Sequence, residues 1–319
     1  MTLSLPSTML IVEVGPRDGL QSFPRFVDTD TKVAIIDRLS DLGLPVIEVS
    51  SFAHPKVVPH LRDADEVFRR IRRKPGTVYR ALVPNARGAE RAANAGVDEM
   101  LGLITISASY TRKNQNMTID EAIAQNLASF RIASASSIPF VMAIGMAFWC
   151  AYEGQIPDNN VVEVVRRLHD GGIRRFYLAG SLGMEDPAHV NRLFRKLGEL
   201  FPTAEFGFHV HNLSGMATAN ILAALDANVA WLEGAICGIG GGIAMPTKLG
   251  SPGNFPTEDL VTMLAEMGIA SGIDPERAVA TSREIAAILR IKPQSHRGNG
   301  ATRQAVSELA ITHPNMRYS

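Results

Sequence analysis

A chain of 319 residues with 46% hydrophobic and 20% charged side chains can bury a large core, and its length is normal for one barrel with additions. Lys plus Arg and Asp plus Glu both number 32, so the zero net charge gives no reason to expect a nucleic-acid partner. Cys150 and Cys237 alone make no disulfide framework and suit a reducing compartment. The stretch Met1 to Pro6 carries no basic leader, and the most apolar segment, Pro139 to Tyr152, is too short to span a bilayer and is broken by Gly145. The expectation is a cytoplasmic protein with no membrane partner.

In chain order, apolar runs of strand length alternate with amphipathic runs of helix length. The strands are read at Met9–Val14, Val46–Val49, Val78–Val83, Glu99–Ile104, Phe140–Ile144, Arg175–Leu178, Glu205–Val210 and Ala230–Ile236. The intervening helices are read at Asp30–Leu42, Leu61–Arg73, Ala86–Ala95, Ile119–Ala135, Asn159–Asp170, Pro187–Leu200 and Met216–Asn228. Gly43, Gly96 and Gly171 stand where C-terminal caps are wanted. Thr257–Met267 then reads as the eighth barrel helix and Pro275–Leu289 as a further one, followed by a polar, partly irregular tail from Lys292. The pattern predicts an α/β (β/α)8 TIM barrel with a C-terminal helical extension, one catalytic domain over 1–319 with the extension from about residue 270. An open doubly wound sheet is the competing architecture, but no Gly-x-Gly-x-x-Gly follows the first strand.

Barrel chemistry gathers at the C-terminal ends of the strands. Asp18 falls just past the first strand, Glu48 near the end of the second, and His209 and His211 at the end of the seventh. Side chains two apart on a strand share a face, so the two imidazoles with Asp18 form a facial set of metal ligands. Oxygen donors completing that set favour Mg²⁺ or Mn²⁺ over structural zinc, and no thiolate cluster is present. Ferrous iron is the other ion that two histidines and one carboxylate hold, which keeps an oxygenase as an alternative. Arg17 adds a cation at the metal face, and Glu48 is placed to orient its guanidinium, unless the pair only closes the barrel mouth as a salt bridge.

The glycine-rich run from Cys237 to Ile243, continuing through Gly250 to Asn254, suits either a lid over the site or a plain connecting loop. Asn254 offers an amide oxygen to the metal. The basic cluster Arg69, Arg70, Arg72, Arg73 and Lys74 reads as a solvated helix end, with an anion or CoA-phosphate contact as the alternative. His54, His60, His169, His189, His296 and His313 are scattered and read as surface or packing residues.

Five motifs in order, Gly15-Pro16-Arg17-Asp18-Gly19-Leu20-Gln21, Val46-Ile47-Glu48-Val49-Ser50-Ser51-Phe52, Tyr152-Glu153-Gly154, His209-Val210-His211-Asn212 and Gly253-Asn254 with Thr257-Glu258-Asp259-Leu260, resemble the 3-hydroxy-3-methylglutaryl-CoA lyase family over about residues 9 to 290. The resemblance implies a barrel that cleaves a 3-hydroxyacyl-CoA to a short acyl-CoA such as acetyl-CoA and an oxo acid. It implies that Asp18, His209, His211 and Asn254 hold the divalent ion, and that Arg17 stabilises the enolate of the departing thioester. His209 or Asp18 would take the hydroxyl proton, coenzyme A would arrive as part of the substrate, and the chain would form a homodimer.

Two positions depart from the family pattern. Gly242 stands where the family has an acidic cysteine, with Cys237 expected in the preceding strand, and Gly180 stands where it has an acid at the end of strand six. These departures leave open a different 3-hydroxyacyl-CoA, citramalyl- or methylmalyl-type, or a thioester-binding relative without lyase activity. Arg112, Lys113, Asn114 and Lys248 are the candidate CoA contacts.

Overall fold

Eight runs rich in Val, Ile, Leu and Phe become parallel strands in the computed structural model, which describes residues 3–241 and 253–312. They are β1 Leu10–Glu13, β2 Val46–Ser51, β3 Val78–Leu82, β4 Glu99–Thr105, β5 Phe140–Gly145, β6 Arg175–Gly180, β7 Glu205–Val210 and β8 Trp231–Gly234. Each pairs with its sequence neighbour, and β1 pairs with β8 through Leu10↔Trp231 to Glu13↔Gly234, so the sheet closes. The fold is a (β/α)8 TIM barrel.

The outer layer holds α1 Thr29–Leu42, α2 Ala64–Arg70, α3 Ala86–Asn94, α4 Ala108–Gln115, α5 Ile119–Ala135, α6 Asp158–Asp170, α7 Pro187–Leu200, α8 Ala217–Asp226 and α9 Thr257–Glu266. Strand alternation sorts the layers. On β7, Phe206 and Phe208 face outward, with Phe206 stacked on Phe176 and Phe208 edge-on to Phe148 and Phe194. Gly207 and His209 face the barrel interior, where Tyr177 of β6 stacks on His209 at 5.6 Å.

That interior is charged, where apolar branched residues usually fill a barrel. Arg80 is fully buried and reaches Glu99 at 2.6 Å and Glu233 at 2.9 Å. A buried guanidinium needs such partners, because desolvating it alone costs several kcal/mol.

Two readings are corrected. The helix expected over Leu61–Arg73 is a 3₁₀ turn, Pro59–Leu61, followed by α2, which stops at Arg70. Lys74 precedes Pro75, which disfavours helix there. The basic cluster spans the last turn of α2 and the segment leading to β3, at the end of the barrel away from the strand C-termini. Its members pair with acids: Arg69 with Glu66, Arg70 with Asp30, Arg72 and Lys74 with Asp41, Arg73 with Asp98.

The strand expected over Ala230–Ile236 stops at Gly234, and Cys237 sits in a 3₁₀ turn, Ile236–Gly238. The tail is partly irregular as expected, with residues 292–295 and 300–302 outside any helix. After α10 Pro275–Leu289 it forms α11 His296–Asn299 and α12 Arg303–Thr312. Lastly, α4 and a small hairpin pairing Trp149–Cys150 with Gly154–Gln155 were not anticipated from the sequence. Among the described residues no helix is long and apolar enough to cross a membrane.

Candidate metal centre and its surroundings

The chain leaves β1 at Val14 and turns at once into a π-helical turn, Gly15–Gly19. Val14 O gathers the N–H groups of Arg17, Asp18 and Gly19, with Asp18 the shortest at 2.8 Å. Pro16 suits the start of the turn, since it has no N–H to satisfy there. This turn swings Arg17 and Asp18 over the barrel mouth, where β7 delivers His209 and the residue just past its end, His211.

Ligand atoms of Asp18, His209 and His211 all lie within 4.8 Å of one another. His211 Nδ1 donates to Ser181 O at 2.8 Å, because a carbonyl only accepts. His209 Nδ1 donates to Glu233 Oε2 at 3.0 Å. Both Nε2 atoms therefore present lone pairs, and they stand 3.1 Å apart. Two ring nitrogens so placed need a proton or a metal cation between them, and outer partners on both Nδ1 atoms are the arrangement of metal-binding histidines.

Asn254 is bridged to His211 by an isolated β-bridge and donates its amide to Asp18 Oδ2 at 2.7 Å and to Ile239 O at 3.0 Å. Its Oδ1 is buried without a hydrogen-bond partner among the described residues. An orphaned amide oxygen beside a carboxylate and two imidazole lone pairs fits a divalent cation with oxygen and nitrogen ligands. Gly240, at φ +133°, is what lets Asn254 in, for a Cβ there would lie 2.0 Å from its amide nitrogen.

Arg17 is buried, with Nε on Glu48 and Nη1 on Asp18 Oδ1 at 2.8 Å. Burial opposes its charge, but Glu48 and Asp18 more than offset that, so the guanidinium stays cationic. Burial would also raise Asp18, yet Arg17 and the two histidines hold its carboxyl well below the usual carboxylate range. Burial opposes a charge on His209, but Glu233 and Asp18 outweigh it and raise its pKa, whereas burial lowers that of His211. The site is thus an ionised carboxylate, two imidazoles and an amide oxygen, with the Arg17 guanidinium alongside.

The candidate CoA contacts Arg112 and Lys113 lie exposed on α4, at the same barrel mouth, where Lys113 Nζ stands 4.0 Å from the centre of the Tyr152 ring. Lys248, Gly242 and the loop segment 242–252, together with the side chain of Asn114, lie outside the described residues.

A model of the family described as HMGL-like matches residues 8–285. The chain belongs to the HMGL-like family. It is 36% identical over 292 residues to the mitochondrial hydroxymethylglutaryl-CoA lyase of Mus musculus, covering 92% of this chain and 89% of that protein. The crystal structure of the Bacillus subtilis HMG-CoA lyase superposes with a TM-score of 0.88 at 34% identity, covering 92% of this chain and 98% of the other. An Acinetobacter baumannii HMG-CoA lyase in complex with coenzyme A and 3-methylmalate gives a TM-score of 0.88 at 32% identity, over 95% and 98% of the two chains.

Two acids of the HMGL-like motif following Asn254 turn out to anchor the neighbouring segments. Glu258 accepts from Cys237 N at 3.1 Å and from Ser282 Oγ at 2.5 Å, and Asp259 accepts from His296 N and Arg297 N at 2.8 Å. Cys237, expected in a strand, adopts a left-handed conformation at φ +61° with its thiol directed at Ser282 O, 3.1 Å away. Burial, with Glu258 beside it, pushes that thiol up to about 12, so it is a poor acid and nucleophile. Cys237→Ala is expected to leave turnover within about threefold of the parent, because an unreactive thiol aimed at α10 adds little to a barrier. Steady-state kinetics on the variant checks this, and a loss beyond tenfold would return the thiol to the chemistry.

Reading the sequence missed Glu13, Tyr177, Glu185 and Glu233. Glu13, fully buried, accepts from Gly15 N at 2.7 Å, Ile236 N at 2.9 Å and Thr257 Oγ1 at 2.6 Å, tying the Arg17–Asp18 turn to the segment after β8. Burial pushes its carboxyl from 4.5 up to about 7 against those hydrogen bonds. A folded-state pKa above the unfolded one means that the folded chain holds more protons in between, so stability is greatest below about 4.5 and falls as pH rises through 7. Urea melts at pH 5 and pH 8 are the check. Between them Glu13→Gln should lose about 3 kcal/mol less stability than the parent. Equal losses would show that Glu13 titrates normally.

Proposed function

We propose that the chain is a divalent-metal-dependent carbon–carbon lyase that cleaves a hydroxymethylglutaryl-CoA-like 3-hydroxyacyl-CoA to a short acyl-CoA and an oxo acid. The observation that carries this reading is the pair of facing Nε2 lone pairs with Asp18 and the orphaned Asn254 oxygen, on a chain about 35% identical over most of its length to hydroxymethylglutaryl-CoA lyases. Asp18, His209, His211 and Asn254 are the proposed ligands, and Mg²⁺ or Mn²⁺ is the proposed ion because the set is rich in oxygen. When bound, the cation polarises the hydroxyl and carboxylate oxygens of the substrate.

Residues of the chain supply the rest. The hydroxyl proton passes to Asp18 or His209, the two bases of the cluster. As the C2–C3 bond of the acyl chain breaks, its electron pair moves into the thioester, and the hydroxyl carbon becomes a carbonyl. The negative charge that develops on the thioester oxygen falls to Arg17, whose guanidinium is held in plane by Glu48 and Asp18. Glu48 is therefore a positioning residue, and the enolate carbon takes up a proton to give the acyl-CoA.

A second acyl group has specific support: the Acinetobacter baumannii relative is described with 3-methylmalate and coenzyme A. Incubating the protein with Mn²⁺ and a panel of thioesters, read by mass spectrometry, separates the readings. Hydroxymethylglutaryl-CoA would release acetyl-CoA and acetoacetate, whereas 3-methylmalyl-CoA would release propionyl-CoA and glyoxylate. Binding without turnover of any thioester would leave only the non-catalytic relative. A cytoplasmic homodimer is also proposed. Both cysteines being free and buried supports the compartment, and light scattering would measure the assembly.

A further inference from the structure

β6 ends at Gly180, on the rim that carries His209 and His211. A Cβ built on Gly180 would lie 2.1 Å from Glu185 Oε1, 2.5 Å from its Cδ and 2.8 Å from its Oε2. The strand end thus lacks a side chain of its own, and a carboxyl from five residues later fills the same volume. Glu185 is only 3% exposed. Its carboxyl folds back on the N–H groups of Met184 and of Glu185 itself, with Asn220 Nδ2 3.5 Å from Oε1 and donating to Glu185 O at 3.0 Å.

A carboxyl buried this deeply costs free energy that its hydrogen bonds to the turn offset. What it organises is the turn between β6 and α7. Gly183 N donates to Gly180 O at 2.9 Å, and Ser214 N donates to Gly183 O at 2.9 Å. In the same turn Ser181 Oγ accepts from Met146 N at 2.9 Å, and Ser181 O accepts from His211 Nδ1 at 2.8 Å. That last bond puts the proton of a neutral His211 on Nδ1.

We propose that Glu185 is a positioning residue of the metal centre: by filling the space beside Gly180 it holds the 180–185 turn so that Ser181 O engages His211 Nδ1–H and leaves His211 Nε2 free to bind the cation. The inference rests on the reading of Asp18, His209 and His211 as metal ligands. Burial pushes the Glu185 carboxyl from 4.5 up to about 7, in keeping with an enclosed seat. The proposal also accounts for Gly180, since any side chain there would evict the carboxyl.

The test compares the full chain with E185Q, E185G and the double variant G180D/E185G, which returns a short carboxyl to the same volume from the strand end. Two readouts are taken: Mn²⁺ affinity by calorimetric titration, and the histidine ¹⁵N spectrum of the metal-free protein, with His211 identified from H211Q. E185G should weaken Mn²⁺ at least tenfold, a size typical of lost outer partners of metal ligands, and should move His211 toward the Nε2–H tautomer. E185Q, which keeps the volume, should stay within about threefold of the parent, and G180D/E185G should return affinity and tautomer close to the parent. Parent-like Mn²⁺ affinity and tautomer in E185G overturn the proposal, as does a double variant that stays as impaired as E185G. Should E185G not fold, the double variant decides: parent-like affinity and tautomer in G180D/E185G support the proposal, and an impaired double variant overturns it. If the parent itself binds no Mn²⁺, the metal reading fails, and the ¹⁵N spectrum still decides whether Glu185 positions His211.

Discussion

Arg17→Gln is expected to lower kcat by about a thousandfold or more with a much smaller change in KM, because the charge that Arg17 meets exists only as the carbon–carbon bond breaks. One lost oxyanion donor is worth a factor of about 10² to 10³, and the positive charge lost here adds to it. Arg17→Lys keeps the charge but loses the planar fork that spans Glu48 and Asp18, so it too should fall by about a hundredfold or more. Arg17→Gln also leaves Glu48, which is fully buried, without its cation, at a cost of about 3–5 kcal/mol. The double variant Arg17→Gln/Glu48→Gln separates the two effects. Its melting behaviour should recover while kcat stays low. Arg17→Gln kinetics within tenfold of the parent would remove Arg17 from the chemistry.

Asp18→Asn is expected to weaken Mn²⁺ by about a hundredfold or more, since Asp18 is the one carboxylate among the three clustered ligands. Neighbouring partners magnify the loss. Asp18 faces His211 Nε2 at 3.8 Å and takes the Asn254 amide at 2.7 Å, so an amide at position 18 would set two amides against each other. Glu233→Gln should cost less, about 10- to 100-fold in metal affinity, because Glu233 orients His209 without touching the ion. Calorimetric titration of metal-free protein with Mn²⁺ ranks the three. Equal affinity in parent and Asp18→Asn would place the ion elsewhere.

The barrel was legible because each strand run is short, apolar and followed by a helix-period run with a glycine stop, a pattern that few other architectures produce. Arg17, Asp18, His209, His211 and Asn254 were legible because side-chain parity on a strand and the rule of strand C-termini bring them to one rim, and the structure does bring them together.

What escaped were partners whose meaning depends on distant backbone. Glu233 looks like an isolated acid in an apolar strand, and nothing local says that Arg80, 153 residues away, and His209 meet it there. Cys237 was misplaced because the apolar residues Ala235, Ile236 and Cys237 continue the run past Gly234, where the strand stops. Glu13 captures Ile236 N and the chain turns before the hydrophobic run ends. Glu185 was invisible for a similar reason, since its carboxyl comes to lie beside Gly180 only through the fold of the 180–185 turn. Helix α12 gave a weak signal because it buries none of its residues, Val306, Leu309 and Ile311 included.

The most direct single measurement follows the release of acyl-CoA from hydroxymethylglutaryl-CoA by mass spectrometry, in parent protein and Asp18→Asn, with EDTA and then with Mn²⁺ restored. The expected result is acetyl-CoA formed by the parent with Mn²⁺, none with EDTA, recovery on adding the ion back, and no recovery in Asp18→Asn. Acetyl-CoA released equally with EDTA and with Mn²⁺ would contradict a metal centre built on Asp18, His209, His211 and Asn254.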